Sequence, residues 1–488
     1  MVNDTTLLLG LEGLACDRVE LDGQGQPVAH LVTANAQAAR CPGCGQVSTS
    51  PKQNVTTRPR DLPHGGRGVA LMWRKRRWRC RNPGCARGSF TESVASVPAR
   101  HRLTTRLRAS AGAAVADRGA TVEQAGRDHD LSWPTVWDAA AAHAKRVLPD
   151  RLAPVAVLGI DETRRGRRRF RRDPDTGAWE QVADCWHVGF VDISGGQGLL
   201  GQVEGRTAQA VIDWLDSQPQ SWRDQVHYVV IDMCTVFASA IRHALPATLI
   251  VDHYHVVQLA NQAVTDLRRR VTWTLRGRRG RTGDGEWEVR RLLMRNREDL
   301  SQRRFARMWN TLVDLGDPGY DILAGYIAKE LLRELLALAR DDPSPHRIRQ
   351  RLYAFYHWCA QADLPELHRL ATTVGQWWPG IEAFIQTGIT NAASEGVNRV
   401  AKLVARNAYG FRNPANQRLR VRCATTRRAR GHLDTRRTGR TNRPRRGKDH
   451  PASTAAATYT RPNPTPTPPT ARSRQTHSQT APEQLEPG

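Results

Sequence analysis

Apolar and polar positions change rhythm several times along the chain. In residues 1–35, Leu7-Leu8-Leu9, Val19-Glu20-Leu21 and the run from Val28 to Val32 flank the turn residues Gly23-Gln24-Gly25. This predicts a small hairpin. Residues 100–148 hold few strand formers and predict helices. Short apolar runs follow at 155–161, 186–193, 199–204, 226–232 and 248–252, with helical patterns at 207–217 and 235–244. Strands that alternate with helices predict an α/β domain. Residues 257–385 read as almost entirely helical. Phe305, Met308, Leu312 and Leu315 share one helix face, and Ile327, Leu331 and Leu335 share the next. Such stripes are packing core. A further helix is predicted at 391–406. From about Thr425 the chain turns Arg-rich, then Thr/Pro/Ser/Ala-rich, and cannot bury enough apolar surface to order itself. It predicts a disordered basic tail.

Charge narrows the class. The 488 residues carry 73 Lys and Arg against 47 Asp and Glu, a net +26. That excess repels itself unless a polyanion neutralises it, and nucleic acid is the first candidate. An anionic membrane surface is the other. No apolar run of about 18 residues and no signal peptide is found, so a soluble, cytoplasmic protein is expected, nucleoid-associated when on DNA.

Nine cysteines are present. Cys16, Cys185, Cys234, Cys359 and Cys423 stand alone. Cys41-Pro-Gly-Cys44 and Cys80-Arg-Asn-Pro-Gly-Cys85 form two knuckles across a long loop. Four soft ligands so arranged suit one structural Zn²⁺ in a zinc-ribbon arrangement; four buried free thiols are the alternative. His64 in the same loop is a candidate substitute ligand, although a loop histidine is more often unbound. Before the second knuckle, Arg74 and Arg76 share a strand face and are candidates for phosphate contact. Trp73 and Trp78 are read as braces.

Thr121-Val-Glu-Gln124 has capping-box spacing and starts a helix. After a break at 130–131, Ser132 caps a second helix with Pro134 in its first turn. This is a helix-turn-helix layout, although a plain helical hairpin has the same pattern. Trp133, Thr135 and Asp138 would face the groove.

Two apolar strands end in acids, Val155-Ala-Val-Leu-Gly-Ile-Asp161 and Tyr228-Val-Val-Ile-Asp232. Side by side, these carboxylates repel unless cations lie between them, which suits Mg²⁺. Two capping aspartates fit the same pattern. Glu395 lies in Thr390-Asn-Ala-Ala-Ser-Glu-Gly-Val-Asn-Arg399, with Asn391 as N-cap. At helical spacing it shares a face with Asn398, Arg399, Lys402 and Arg406. A metal ligand beside a phosphate backbone, or an exposed helix with ion pairs, accounts for that face.

The order of these motifs, with "GIDE", "VIDM", "DHYH" and "TNAASEGVNRVAKLVARNAYGFRN", resembles bacterial insertion-sequence transposases of the IS-L-three family over roughly residues 1–425. The resemblance implies a DDE enzyme. A multidomain α/β chain is then expected: an N-terminal hairpin and zinc-ribbon-like module (1–95), a helix-turn-helix (96–150), an RNase H-like mixed-sheet catalytic core (151–265), an all-helical insertion (266–385), a last core helix (386–425) and the tail (426–488). It implies two Mg²⁺ ions, or Mn²⁺, on Asp161, Asp232 and Glu395. Asp252 and His255 match a D-x-x-H element, where His255 either relays a proton or fixes the site loop. Arg399, Lys402 and Arg406 would contact DNA. The implied partners are the terminal inverted repeats, target DNA and further copies of the chain, with no membrane. The implied reaction is strand cleavage and strand transfer. The rivals are a non-catalytic DNA-binding regulator or domesticated transposase, and a nuclease that cuts without joining. Cys234 and the extended tail depart from the family pattern.

Overall fold

The computed structural model describes residues 4–432 except residue 65. It opens with a short helix, α1 (Asp4–Leu9), where the apolar pattern predicted strand. Three successive leucines do not alternate; only Leu9 is buried and Leu7 and Leu8 lie exposed. The expected hairpin is β1 (Leu14–Leu21) with β2 (Pro27–Thr33), and Asp22 Oδ1 ties its turn by accepting from the Gln24 and Gln26 amides. Strands β3 (Pro51–Thr57), β4 (Ala70–Arg79) and β5 (Ser89–Thr91) complete a sheet in the order β1-β2-β4-β3, with β5 on β4. Trp73 is fully buried at its centre, and its indole N–H donates to Thr33 Oγ1 at 3.1 Å.

Three helices follow, α2 (Thr105–Ala116), α3 (Val122–His129) and α4 (Trp133–Val147). Thr121 caps α3 as predicted, accepting from the Gln124 amide at 3.0 Å, a bond that contributes about 1 kcal/mol. Asp130 ends α3 in the left-handed region at φ 50°. Ser132 occupies the N-cap of α4 but does not cap it through its side chain. Its hydroxyl bonds Thr135 Oγ1 at 2.8 Å instead. Gly112 lets α2 approach α4, because a Cβ there would lie 2.6 Å from the Ala139 carbonyl oxygen.

The second sheet is built from the apolar runs. It contains β6 (Val157–Arg164), β9 (Trp186–Asp192), β10 (Gly198–Glu204), β11 (Tyr228–Ile231) and β12 (Thr248–Val251), in the order β10-β9-β6-β11-β12. Strand β9 runs antiparallel to β10 and β6, while β11 is parallel to β6 and β12. An arginine-bearing hairpin, β7 (Arg169–Arg172) and β8 (Trp179–Ala183), projects between β6 and β9. Alternation divides the sheet's two faces. Leu158, Ile160, Phe190, Val229 and Ile231 face one core, shared with α5 (Ala208–Asp216), α6 (Gln220–Arg223) and α7 (Thr235–Ala244). Val157, Val230 and Ile250 face the opposite one.

That opposite core belongs to a helical array. It comprises α8 (His253–Arg276), α9 (Gly285–Glu288), α10 (Arg290–Leu293), α11 (Gln302–Val313), α12 (Asp317–Ala337), α13 (Pro345–Ala362), α14 (Pro365–Gln376) and α15 (Trp378–Thr387). Met308, Leu312 and Leu335 are buried in it as their spacing predicted; Phe305, Leu315 and Leu331 pack at its margin. The chain returns to the sheet through α16 (Ala392–Asn407) and α17 (Pro414–Thr425). Val397, Ala401 and Val421 close over Val191 and Leu199.

Helix α17 straps three parts of the chain together. Its Thr425 hydroxyl accepts from the Leu199 amide on β10, and Arg420 and Arg422 reach the carbonyls of Ala120 and Pro149. The predicted tail begins at residue 426, yet the chain is still packed over residues 426–432. Arg430 bonds Asp117, which also holds His143 Nε2 at 2.6 Å. The rest of the predicted tail, 433–488, lies outside the described residues. Among the described residues no helix is long and apolar enough to cross a membrane.

Candidate active site

Strands β6 and β11 pair with Val230 opposite Gly159. Two residues further on, Asp232 and Asp161 therefore face one another on the side that α16 covers. Asp161 Oδ1 accepts from the Glu162 amide at 2.8 Å, and Oδ2 accepts from Asn398 Nδ2 at 2.6 Å. Asn398 also takes the Thr163 hydroxyl on its Oδ1. One amide from α16 thus bridges two residues of β6. Burial raises the Asp161 carboxyl above the ordinary range. Burial, and then the charge of Asp161, push Asp232 up to about 7. The Asp232 Oδ1 atom is buried and faces His255 Nδ1 at 3.0 Å.

Asp252 caps α8 and is 3 % exposed. Against the penalty of burial, the neighbouring imidazoles of His253 and His255 hold its carboxyl well below the usual carboxylate range. His255 Nδ1 lies 3.0 Å from Asp232 Oδ1 and 3.8 Å from Asp252 Oδ2. The Asp252 carboxylate, working against burial, raises the imidazole pKa. Asp232, Asp252 and His255 bring their ligand atoms within 4.8 Å of one another. Asp161 and Glu395 stand outside that group.

Glu395 sits in the first turn of α16, three residues before Asn398 and therefore on the same helix face. It is partly exposed, and Arg399 approaches it to 3.7 Å. Asn391 precedes α16 as predicted but makes no side-chain cap bond. The helix comes this close because β6 carries glycine at 159. A Cβ there would lie 2.2 Å from Ser394 Oγ and 3.1 Å from Asn391 Oδ1.

Basic groups surround these acids. Lys402 and Arg406 line a cavity of about 390 Å³ with Arg164 and Arg165. His187 is buried in its wall, and burial, then the charges of Arg165 and Arg418, push its imidazole down to about 4. Arg399 is largely exposed. The β7–β8 hairpin adds Arg169, Arg171 and Arg172, with Phe170 and Trp179 exposed. The sequence reading passed over this ribbon. Its signal was the run Arg164-Arg-Gly-Arg-Arg-Arg-Phe-Arg-Arg172, followed by the turn residues Asp173 and Gly177.

Other expected DNA contacts divide. Arg74 is exposed, but Arg76 donates to the buried Glu92 at 2.7 Å and sits over the Trp78 ring. Glu92 also accepts from the Trp78 indole at 3.1 Å. Arg76 therefore braces the ribbon. Trp133 is 52 % exposed and stacks on Trp137 with ring centroids 6.1 Å apart. Thr135 has its hydroxyl engaged by Ser132.

The four knuckle cysteines converge as predicted. Cys41 Sγ lies 3.9 Å from Cys85 Sγ, and Cys44 Sγ lies 3.6 Å from Cys80 Sγ. Tetrahedral zinc with bonds of about 2.3 Å calls for sulfurs about 3.8 Å apart. The donor set fits one structural Zn²⁺. The Gly43 amide first among several causes draws Cys41 down to about 7. Despite the Asn82 amide, burial and the neighbouring thiols push Cys80 up to about 12. His64 is no ligand here; its Nε2 lies 3.0 Å from the Arg106 guanidinium and 3.4 Å from Asp61.

Comparison with known proteins agrees with this layout. Residues 37–85 match the zinc-finger of transposases IS204/IS1001/IS1096/IS1165, and residues 92–144 match the helix-turn-helix domain of transposase family ISL3. Residues 158–421 match the ISL3 transposase domain. The chain is 26 % identical over 426 residues to the transposase for insertion sequence element IS1001 of Bordetella parapertussis, covering 85 % of this chain and 96 % of that one. It is 28 % identical over 213 residues to the transposase for IS1557 of Mycobacterium tuberculosis, covering 39 % and 46 %. With that domain match spanning more than half its length, the chain belongs to the ISL3 family of transposases.

Proposed function

We propose that the chain cuts and joins DNA at an RNase H-like core, with Asp161, Asp232 and Glu395 as the metal-binding acids. The observation that carries this reading is the Asn398 bridge, which ties the Glu395 helix to the strand of the first acid. The donor set also fits divalent cations. Asp232 offers a buried oxygen whose position converges with the ligand atoms of Asp252 and His255, and its proximity to Asp161 is unfavourable for two carboxylates without a cation. Two Mg²⁺ ions, or Mn²⁺, would stabilise charge on the attacking and leaving oxygens of a phosphodiester. Asn398 holds the orientation of Asp161. Asp252 orients His255, whose Nδ1 faces the carboxylates, so that Nε2 is the nitrogen left for substrate. Lys402, Arg406 and Arg165 supply positive charge for the DNA backbone beside the acids. The zinc ribbon and helix-turn-helix bind the terminal inverted repeats, and two or more copies hold two ends together.

The test is cleavage of a duplex ending in the element's inverted repeat, in Mg²⁺, by wild type and Glu395→Gln. The variant is expected to bind the end and leave it uncut. Equal cleavage by both proteins would remove Glu395 from the chemistry.

A further inference from the structure

Far from the acids, the helical array carries an open cavity of about 1010 Å³ between the end of α8 and α10. Arg268, Arg269, Arg279, Arg290, Arg291 and Arg295 all line it. The nearby carboxylates are already engaged. Glu286, fully buried, accepts from Arg276 Nε and Nη2 at 2.7 and 3.0 Å. Asp284, 4 % exposed, takes Arg278 at 2.8 and 3.0 Å and the Arg281 amide at 2.8 Å. Those bonds fix the loop after α8 and leave Arg279 at the cavity. Gly280 seats the loop, since a Cβ there would lie 2.9 Å from the Trp287 ring. Glu288 accepts from the Gly283 amide at 3.2 Å and faces Arg307 at 3.5 Å, and Asp266 faces Arg269 at 3.5 Å. Arg268, Arg279, Arg291 and Arg295 have no carboxylate partner among the described residues. Arg290 lies over the Trp287 ring at 3.3 Å and bonds the Trp287 carbonyl. Trp273 stands at the rim, 63 % exposed.

Guanidinium groups that outnumber the carboxylates around one cavity repel each other unless an anion is bound. Several phosphates in a row suit their spread. An exposed indole beside them offers a stacking face for a base. We propose that this cavity is a second DNA site, taking the phosphodiester backbone of the substrate and an unpaired or distorted nucleotide against Trp273. The proposal rests on the reading that this chain acts on DNA. Helix α8 connects the two places. His255, in the acid group, and Trp273 lie eighteen residues apart on it, which is about 27 Å. At about 3.4 Å per base pair, the cavity meets DNA about eight base pairs from the acids.

The experiment measures binding of the full chain to a fluorescent mixed-sequence duplex as salt is varied. It compares wild type, Arg279→Gln/Arg291→Gln/Arg295→Gln, Trp273→Ala, and a control, Arg303→Gln/Arg304→Gln/Arg349→Gln, which removes equal charge from exposed positions of the same array. The cavity variant is expected to bind at least about tenfold more weakly and to lower the salt slope by about 2 to 3 units. The control is expected to change affinity less than about threefold. Trp273→Ala is expected to weaken binding only when the duplex contains unpaired nucleotides. Equal losses in cavity variant and control would overturn the proposal, as would a cavity variant that binds like wild type. Absence of salt-dependent DNA binding by wild type would instead overturn the reading of the chain as a DNA enzyme.

Discussion

Asn398 Nδ2 donates to Asp161 Oδ2 at 2.6 Å across 237 residues of chain. The last long helix is thereby fastened to the first acid by one side-chain amide. Asn398→Ala is expected to lower end cleavage by about 100-fold while end binding stays within about twofold, a loss of roughly 3 kcal/mol in the transition state. Asn398→Asp would set a second carboxylate against Asp161 and should be as slow. A merely structural role would instead lower thermal stability and binding together. Single-turnover cleavage and gel-shift binding on one preparation separate these outcomes.

Asp232→Asn should abolish strand cleavage, since it removes a carboxylate while keeping shape. End binding should be nearly unchanged. A loss of binding equal to the loss of cleavage would mark Asp232 as structural.

Gly159 sets how closely α16 can lie on β6. Gly159→Ala should destabilise the fold by about 1–3 kcal/mol, the usual cost of overpacking, because Ser394 Oγ and Asn391 Oδ1 occupy the space of its Cβ. Ser394→Gly in the same chain should restore part of that stability in denaturant melts. If the two changes are simply additive, the contact is not what matters.

The zinc ribbon is too small to hold its shape without its staple. Structural zinc supplies about 10–16 kcal/mol of apparent folding energy in small modules. Cys44→Ser, or prolonged chelation, should open residues 37–85 to protease and weaken recognition of the ends. Full end binding by chelated protein would refute this.

His187 carries a pH prediction. Its imidazole sits near 4 in the fold against 6.5 as an ordinary histidine. Between those values the unfolded chain binds a proton that the folded chain does not, so stability falls as pH drops from about 6.5 to about 4, by on the order of 3 kcal/mol. His187→Gln should flatten that part of the curve. Chemical denaturation at several pH values reads the slope directly.

Much of this architecture could be read from sequence. The five strands of the second sheet announce themselves because apolar runs between turn residues have few other uses; β11 stops before Asp232 as expected, but β6 runs on past Asp161 to Arg164, because the polar residues after the acid still pair with β9. The knuckle cysteines did the same for zinc. Other features lack a local signal. The β7–β8 hairpin carries arginines where a half-buried strand would alternate, so periodicity passes over it. Arg76 looks like a phosphate ligand until Glu92, just past the end of β5, claims it. Glycine at 159 has a meaning only once Ser394 and Asn391, more than two hundred residues later, are seen against it. Asn398 was placed on the right helix face, but its partner lay on a strand that no spacing rule connects to it. Residues 426–432 have a tail's composition; their order comes from Asp117, which pairs with Arg430.

The strap formed by α17 has a consequence for geometry on DNA. It touches β10 of the acid-bearing sheet, the turn before α3, and the segment after α4. The helix-turn-helix and the acid-bearing sheet are therefore clamped into a single caliper, whose opening is set by side chains such as Thr425 and Arg420. On the proposed function, the number of base pairs between the sequence recognised and the bond broken would be a constant of the protein, and the ends of its element would have to keep that interval.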